Sequence, residues 1–98
     1  MGGNKATIQR IEKESIDQLQ FPNQEILKSS DEIAQRKMKL HRATSLGNLQ
    51  KHKVLIRFED ADGLKEVYTT IWAVTNNKVL LKAGRLIPVH RIRSVEIG

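Results

Sequence analysis

From Lys53 to Ile97 the chain runs through β-patterned segments broken at Asp62-Gly63, Asn76-Asn77 and Ala83-Gly84, residues that favour turns. Val54, Ile56 and Phe58 alternate with Lys53, Leu55, Arg57 and Glu59, the period-two pattern of a half-buried strand. Lys65 to Val74 is long for so small a unit and carries Thr69, Thr70, Ile71 and Trp72, so the second strand is expected to bend and serve both halves of a sheet. Lys78 to Lys82 gives a third strand and Arg85 to Val89 a fourth. A tight turn at His90-Arg91-Ile92 leads into a fifth at Ser94 to Ile97. Pro88 has no N–H for a ladder, which puts the fourth strand at an edge or its proline at an unpaired position. The layout predicts a small, bent, five-stranded antiparallel barrel with no interior left for a substrate pocket. Activity then belongs to the surface, the rim or contacts between copies.

The preceding residues read as helical, making the class mainly β with N-terminal helices (α+β). From Ala6 to Gln20, Ile8, Ile11, Ile16 and Leu19 fall on one broad stripe, as in an amphipathic helix. Phe21-Pro22-Asn23 breaks it. Asn23 to about Thr44 predicts further helix, with Ile26, Leu27, Ile33, Ala34 and Met38 near one face. Ser29-Ser30-Asp31-Glu32 inside it reads as a fresh N-cap, so the stretch is one helix or two. Gly47 after Leu46 fits a C-cap. The division is a partly flexible helical segment over 1–48 and a barrel over 49–98.

A barrel of this size buries too little surface alone and needs the helical segment across its open end, or other copies at its edges. Cysteine is absent and the histidines are only His41, His52 and His90, without metal-site spacing, so no metal or other cofactor is expected. Asp60 and Asp62 lack the further oxygen ligands of a cation loop and read as turn formers. No nucleophile–base arrangement, phosphate loop or paired apolar carboxylates occurs, which argues against an enzyme. No apolar run reaches the roughly 20 residues that span a bilayer. Met1 to Lys5 is not followed by a signal-peptide core, and Ala6 stands where a myristoylation signal wants Ser or Thr. The expectation is a cytoplasmic protein with no membrane partner.

The net charge is +6 and its distribution is uneven. Ile33 to Phe58 contains no acid but carries Arg36, Lys37, Lys39, Arg42, Lys51, Lys53 and Arg57. Between Val67 and Val95 the charges are again all positive: Lys78, Lys82, Arg85, Arg91 and Arg93. Such a field suits phosphate backbones or an acidic protein, and it also serves to keep a small barrel soluble and its edges guarded. Trp72 and Tyr68 share parity along one strand; a solvent-facing Tyr68, Thr70, Trp72 row would be a base-stacking surface, whereas the apolar setting of Trp72 predicts packing under the N-terminal helix. His90, between basic neighbours, is a candidate contact or a turn residue capping backbone groups.

The matching residues are the basic junction Leu49 to Val54, the turn Asp62-Gly63-Leu64-Lys65, Val79-Leu80-Leu81-Lys82, and His90-Arg91-Ile92-Arg93-Ser94-Val95, together roughly half the chain. In these and in layout the chain resembles the SH3-like barrels, in particular the Sm superfamily, and within it the bacterial host-factor RNA chaperones. The resemblance implies an RNA-binding ring whose fourth and fifth strands pair between subunits, here a homo-oligomer through 78–82 and 85–97. It implies backbone contacts from Lys51 and Lys53 on the rim and Lys65 on the opposite face. The family's pore motif of an aromatic residue, a lysine and a histidine falls on Pro88, Val89 and His90, keeping only the histidine. Its uracil-stacking aromatic position holds Asn77. The layout is also similar to a small Sm-like inhibitor of the Rho termination factor, whose binding surface is acidic where this chain is basic.

Two functions follow. One is a non-enzymatic nucleic-acid-binding barrel using Arg36, Lys37, Lys39, Arg42, Lys51, Lys53, Lys65, His90, Arg91 and Arg93 for RNA contacts, with Tyr68 or Trp72 for stacking. The other is an adaptor whose N-terminal helices dock on a protein partner.

Overall fold

The computed structural model describes residues 7–97; the myristoylation and signal-peptide readings of the first six residues lie outside them. Among the described residues there are seven strands and one α-helix in two sheets, an α+β architecture. After the short strand β1 (Gln9–Arg10) comes a 3-10 turn at Lys13–Gln18, then helix α1 (Ser30–Gln50). The strands β2 (Val54–Asp60), β3 (Gly63–Thr69), β4 (Ile71–Val74), β5 (Lys78–Leu81), β6 (Leu86–Pro88) and β7 (Ile92–Glu96) follow. One sheet has the order β1-β3-β2-β7 and the other β4-β5-β6.

The alternation over β2 is seen directly: Val54, Ile56 and Phe58 are fully buried. β2 and β3 form a hairpin in continuous register from Val54↔Thr69 to Asp60↔Gly63. Asp60 accepts from the backbone N–H of Asp62 and Gly63, and Gly63 takes φ +142°, which its missing side chain allows. The long second strand does bend. It breaks at Thr70, so that β3 serves one sheet and β4 the other. β6 lies at an edge of the smaller sheet. The Leu81 N–H donates to the Arg85 carbonyl and the Val89 N–H to the Asn77 carbonyl, and by antiparallel alternation Pro88 turns its nitrogen outward, where no N–H is needed.

The N-terminal readings need correction. No α-helix occupies 7–20, whose one helical stretch is the short 3-10 segment at Lys13–Gln18. β1 instead adds in parallel to the edge of β3, pairing Gln9 with Lys65 and Arg10 with Glu66, and Ile11 donates to the Glu66 carbonyl at 3.0 Å. A lone amphipathic helix of this length is marginal, whereas the β3 edge offers unpaired backbone partners. Ile16 still enters the core, from the 3-10 turn. The second helix starts at Ser30, later than Asn23, and runs beyond Thr44 to Gln50. Its start is a reciprocal capping box: Glu32 N–H donates to Ser29 Oγ at 3.1 Å, and Ser29 N–H donates to Glu32 Oε1 at 3.3 Å. Gly47 does not end the helix. Lys51 does, in the left-handed region at φ 55°.

Gly47 is needed within the helix. A Cβ there would collide with the Ile71 carbonyl oxygen and meet Thr70 Cγ2 at 3.0 Å, so the missing side chain lets α1 approach the Thr70 break closely. With Arg36, Leu40 and Ala43 it makes the narrow buried stripe of α1, which packs on β4 and β7. Leu40 and Ala43 join Ile56, Phe58, Ile71, Leu81 and Ile92 in one core shared by the helix and both sheets.

Candidate nucleic-acid interface

The cations expected to meet phosphate separate into two groups once side-chain partners are known. Arg36 is 6% exposed; its guanidinium pairs with Glu25 and donates to the Ile92 carbonyl at 3.1 Å. That hydrogen bond to Arg36 holds the Glu25 carboxyl below its ordinary range despite partial burial. Lys65 is buried with Nζ 2.8 Å from both carboxylate oxygens of Asp60. Burial pushes Asp60 up, but Lys65 and the Asp62 and Gly63 amides outweigh it, so its pKa is lowered. Arg91 is buried and donates to the carbonyls of Glu59 at 3.0 Å and Gln24 at 2.8 Å. His90 Nε2 donates to the Pro22 carbonyl at 3.0 Å, as the turn-capping alternative anticipated. These four residues bind the protein to itself.

Most of that binding falls on one connecting segment. Between the 3-10 turn and α1, the chain is laced down by Ala61 N–H to Gln20 O, Ile26 N–H to His90 O, the Phe21–Phe58 ring contact at 5.9 Å, and the Glu25, Gln24 and Pro22 contacts just given. The sequence around His90 and Arg91 reads as a basic surface run because nothing local shows that their partners are backbone carbonyls far away in the chain.

On the outer face of the larger sheet the charges cancel. Arg57 bonds Glu66 at 3.2 Å and Glu96 at 2.8 Å, Arg10 bonds Glu66 at 2.7 Å, and Arg93 chelates Glu59 Oε2 at 3.0 and 2.7 Å. The Arg10 hydrogen bond, with that of Arg57, holds Glu66 below its ordinary value. Arg93 is therefore solvent-facing but already satisfied.

The second group is different. Lys37, Lys39 and Arg42 on α1, with Lys51 and Lys53 beyond it, are exposed, and among the described residues none has a carboxylate partner. Lys53 lies 5.8 Å from the centre of the exposed Tyr68 ring, a cation–π distance. Lys37 and His41 also border a cleft of about 210 Å³ between α1 and the β4–β5 turn, floored by Leu40 and Val74 and lined by no carboxylate. Trp72 is 45% exposed and does not pack under a helix. It shares no continuous row with Tyr68, since Thr70 between them is buried at the strand break. No protein family model, no curated protein and no solved structure matches this chain.

Proposed function

We propose that this is a non-enzymatic module that binds single-stranded nucleic acid across the solvent-facing surface of α1, from Lys37 on its β4 side over Arg42 to Lys39 on its β7 side, and at its C-terminal end. Phosphates would lie on Lys37, Lys39, Arg42, Lys51 and Lys53, with Tyr68 as the neighbouring stacking ring. One observation carries the reading: Glu25, Glu59, Asp60 and Glu66 are each paired with a cation, while Lys37, Lys39, Arg42, Lys51 and Lys53 are exposed with no carboxylate within salt-bridge distance among the described residues. The strand order supports the accompanying structural proposal. β2, the bent β3–β4 pair, β5, β6 and β7 follow one another as the strands of an SH3-like or Sm-like barrel would, and β6 and β7 are edge strands open to pairing between copies.

The test is fluorescence anisotropy of a labelled mixed-sequence RNA against salt, with light scattering for the assembly. Affinity that falls steeply with salt, and is weakened in a Lys37→Glu, Lys39→Glu, Arg42→Glu variant, is expected; indifference to RNA at low salt refutes the reading.

A specific observation favours the adaptor as second reading: Met38 and Leu49, 71% and 81% exposed, stand out from α1. Deleting the N-terminal residues cannot test it, because Leu40 and Ala43 belong to the core. A Met38→Glu, Leu49→Glu variant can. Loss of a salt-tolerant protein complex would support that reading.

A further inference from the structure

On the smaller sheet the pairing slips between Ile71↔Leu81 and Ala73↔Leu80. Trp72 is thus the extra residue of a bulge, and Trp72 and Ala73 both stand opposite Leu80. A bulge of this kind turns its two residues toward the same side of the sheet. Burial agrees: Ile71 and Leu81 are fully buried, whereas Trp72 is exposed and Ala73 and Leu80 are half-buried. Leu80 pairs in turn with Leu86 on β6, which is 49% exposed. The bulge therefore completes an outward apolar row, Trp72, Ala73, Leu80 and Leu86, across all three strands. Lys78 on β5, and Lys82 just after its end, flank Leu80 two residues away on either side, exposed and without a carboxylate partner among the described residues.

We infer that this face docks an acidic protein segment bearing apolar side chains, with Trp72 and Leu86 as the anchors and Lys78 and Lys82 as the flanking charges. The proposal is independent of the nucleic-acid reading, which uses α1. Charge selects the occupant. A second copy would bring the same lysines to the face, and like charges would meet. Trp72 stands in a row with Ala73, Leu80 and Leu86, an apolar surface that matches apolar side chains of a protein segment and has no counterpart in a phosphate backbone. Tryptophan is among the residues most enriched in protein-binding hot spots, and here it is exposed beside apolar side chains that add contact area. The partner is held by side chains on the face, a surface separate from the backbone edge of β6, along which Pro88 offers no N–H.

Trp72 is the only tryptophan, so its emission reports this face alone. The full chain is titrated with a synthetic peptide carrying Leu on one helical face and Glu on the other. Parallel titrations use the peptides with Lys replacing Glu or Ser replacing Leu, and a mixed-sequence single-stranded RNA. A saturable blue shift with the Leu–Glu peptide, at least about tenfold weaker in Leu86→Asp, is expected. A Lys78→Glu, Lys82→Glu variant should exchange its preference for the Leu–Lys peptide, a gain that misfolding cannot imitate. No response to the Leu–Glu peptide, an equal response to the Ser–Glu peptide or to RNA, or a shift with protein concentration alone would each overturn the proposal.

Discussion

Arg36 on α1 is paired with Glu25 in the segment that precedes the helix: the guanidinium side chain is 4% exposed and the carboxylate side chain 30% exposed. The asymmetry makes the pair's two halves unequal. Glu25→Ala strands a buried cation and should cost about 3 kcal/mol, the range for breaking a buried pair. Arg36→Met leaves a carboxylate that water can reach and should cost clearly less. Urea unfolding of both variants checks the order; a larger loss in Arg36→Met would mean that the Ile92 carbonyl bond, and not Glu25, dominates.

Acid should loosen this arrangement. Glu25 and Asp60 are both held below their ordinary values in the folded protein, chiefly through Arg36 for the first and Lys65 for the second. The unfolded chain therefore binds protons more readily at these sites. Their stabilisation is fully present above the unfolded-chain pKa of about 4 and is lost as pH falls through the lower folded values. Thermal melts from neutral to acid pH should show stability declining in that window, with a shallower decline in Glu25→Gln.

Gly47→Ala should destabilise although it improves helix propensity. The propensity gain is about 1 kcal/mol. Against it, the new methyl meets the backbone carbonyl of Ile71, which cannot swing aside, and overpacking of this kind costs about 1–3 kcal/mol. A net loss on chemical denaturation is the expected outcome, and a stabilised variant would contradict the close approach of α1 to β4.

For the proposed nucleic-acid surface, replacing Lys37, Lys39 and Arg42 by Glu should leave the melting temperature nearly unchanged, since exposed unpaired charges contribute little to stability. The same variant should reduce the slope of log affinity against log salt by about 2, three single-strand phosphate contacts being lost. Replacing Arg91 should do the reverse, damaging stability with no specific change in the slope. Denaturation and anisotropy run in parallel separate the two.

Much of the β half was legible because its signals are local. The alternation from Val54 to Phe58, the Asp60–Gly63 turn and the edge position of Pro88 each depend on neighbours a few residues away, as does the Ser29–Glu32 capping box. The N-terminal stretch was misread for the opposite reason. Its isoleucines fit a helical stripe, but the β3 edge, more than fifty residues on, takes Gln9 and Arg10 as a strand. The candidate site divided along the same line. The acid-free run around Lys37 to Lys53 could be read from composition, yet only the fold shows that Arg36 within it is buried against Glu25.

By itself the sequence determined the strand alternation and turns from Val54 to Gly63, the N-cap at Ser29 to Glu32, and that a basic run has no acid within it, because periodicity, capping and charge are properties of adjacent residues. Tertiary structure alone decided which cations remain free, why a glycine sits inside a helix, and on which side of the sheet Trp72 emerges. Those depend on backbone carbonyls, carboxylates and a strand register supplied from distant parts of the chain, and a linear pattern carries no record of what will be packed beside it.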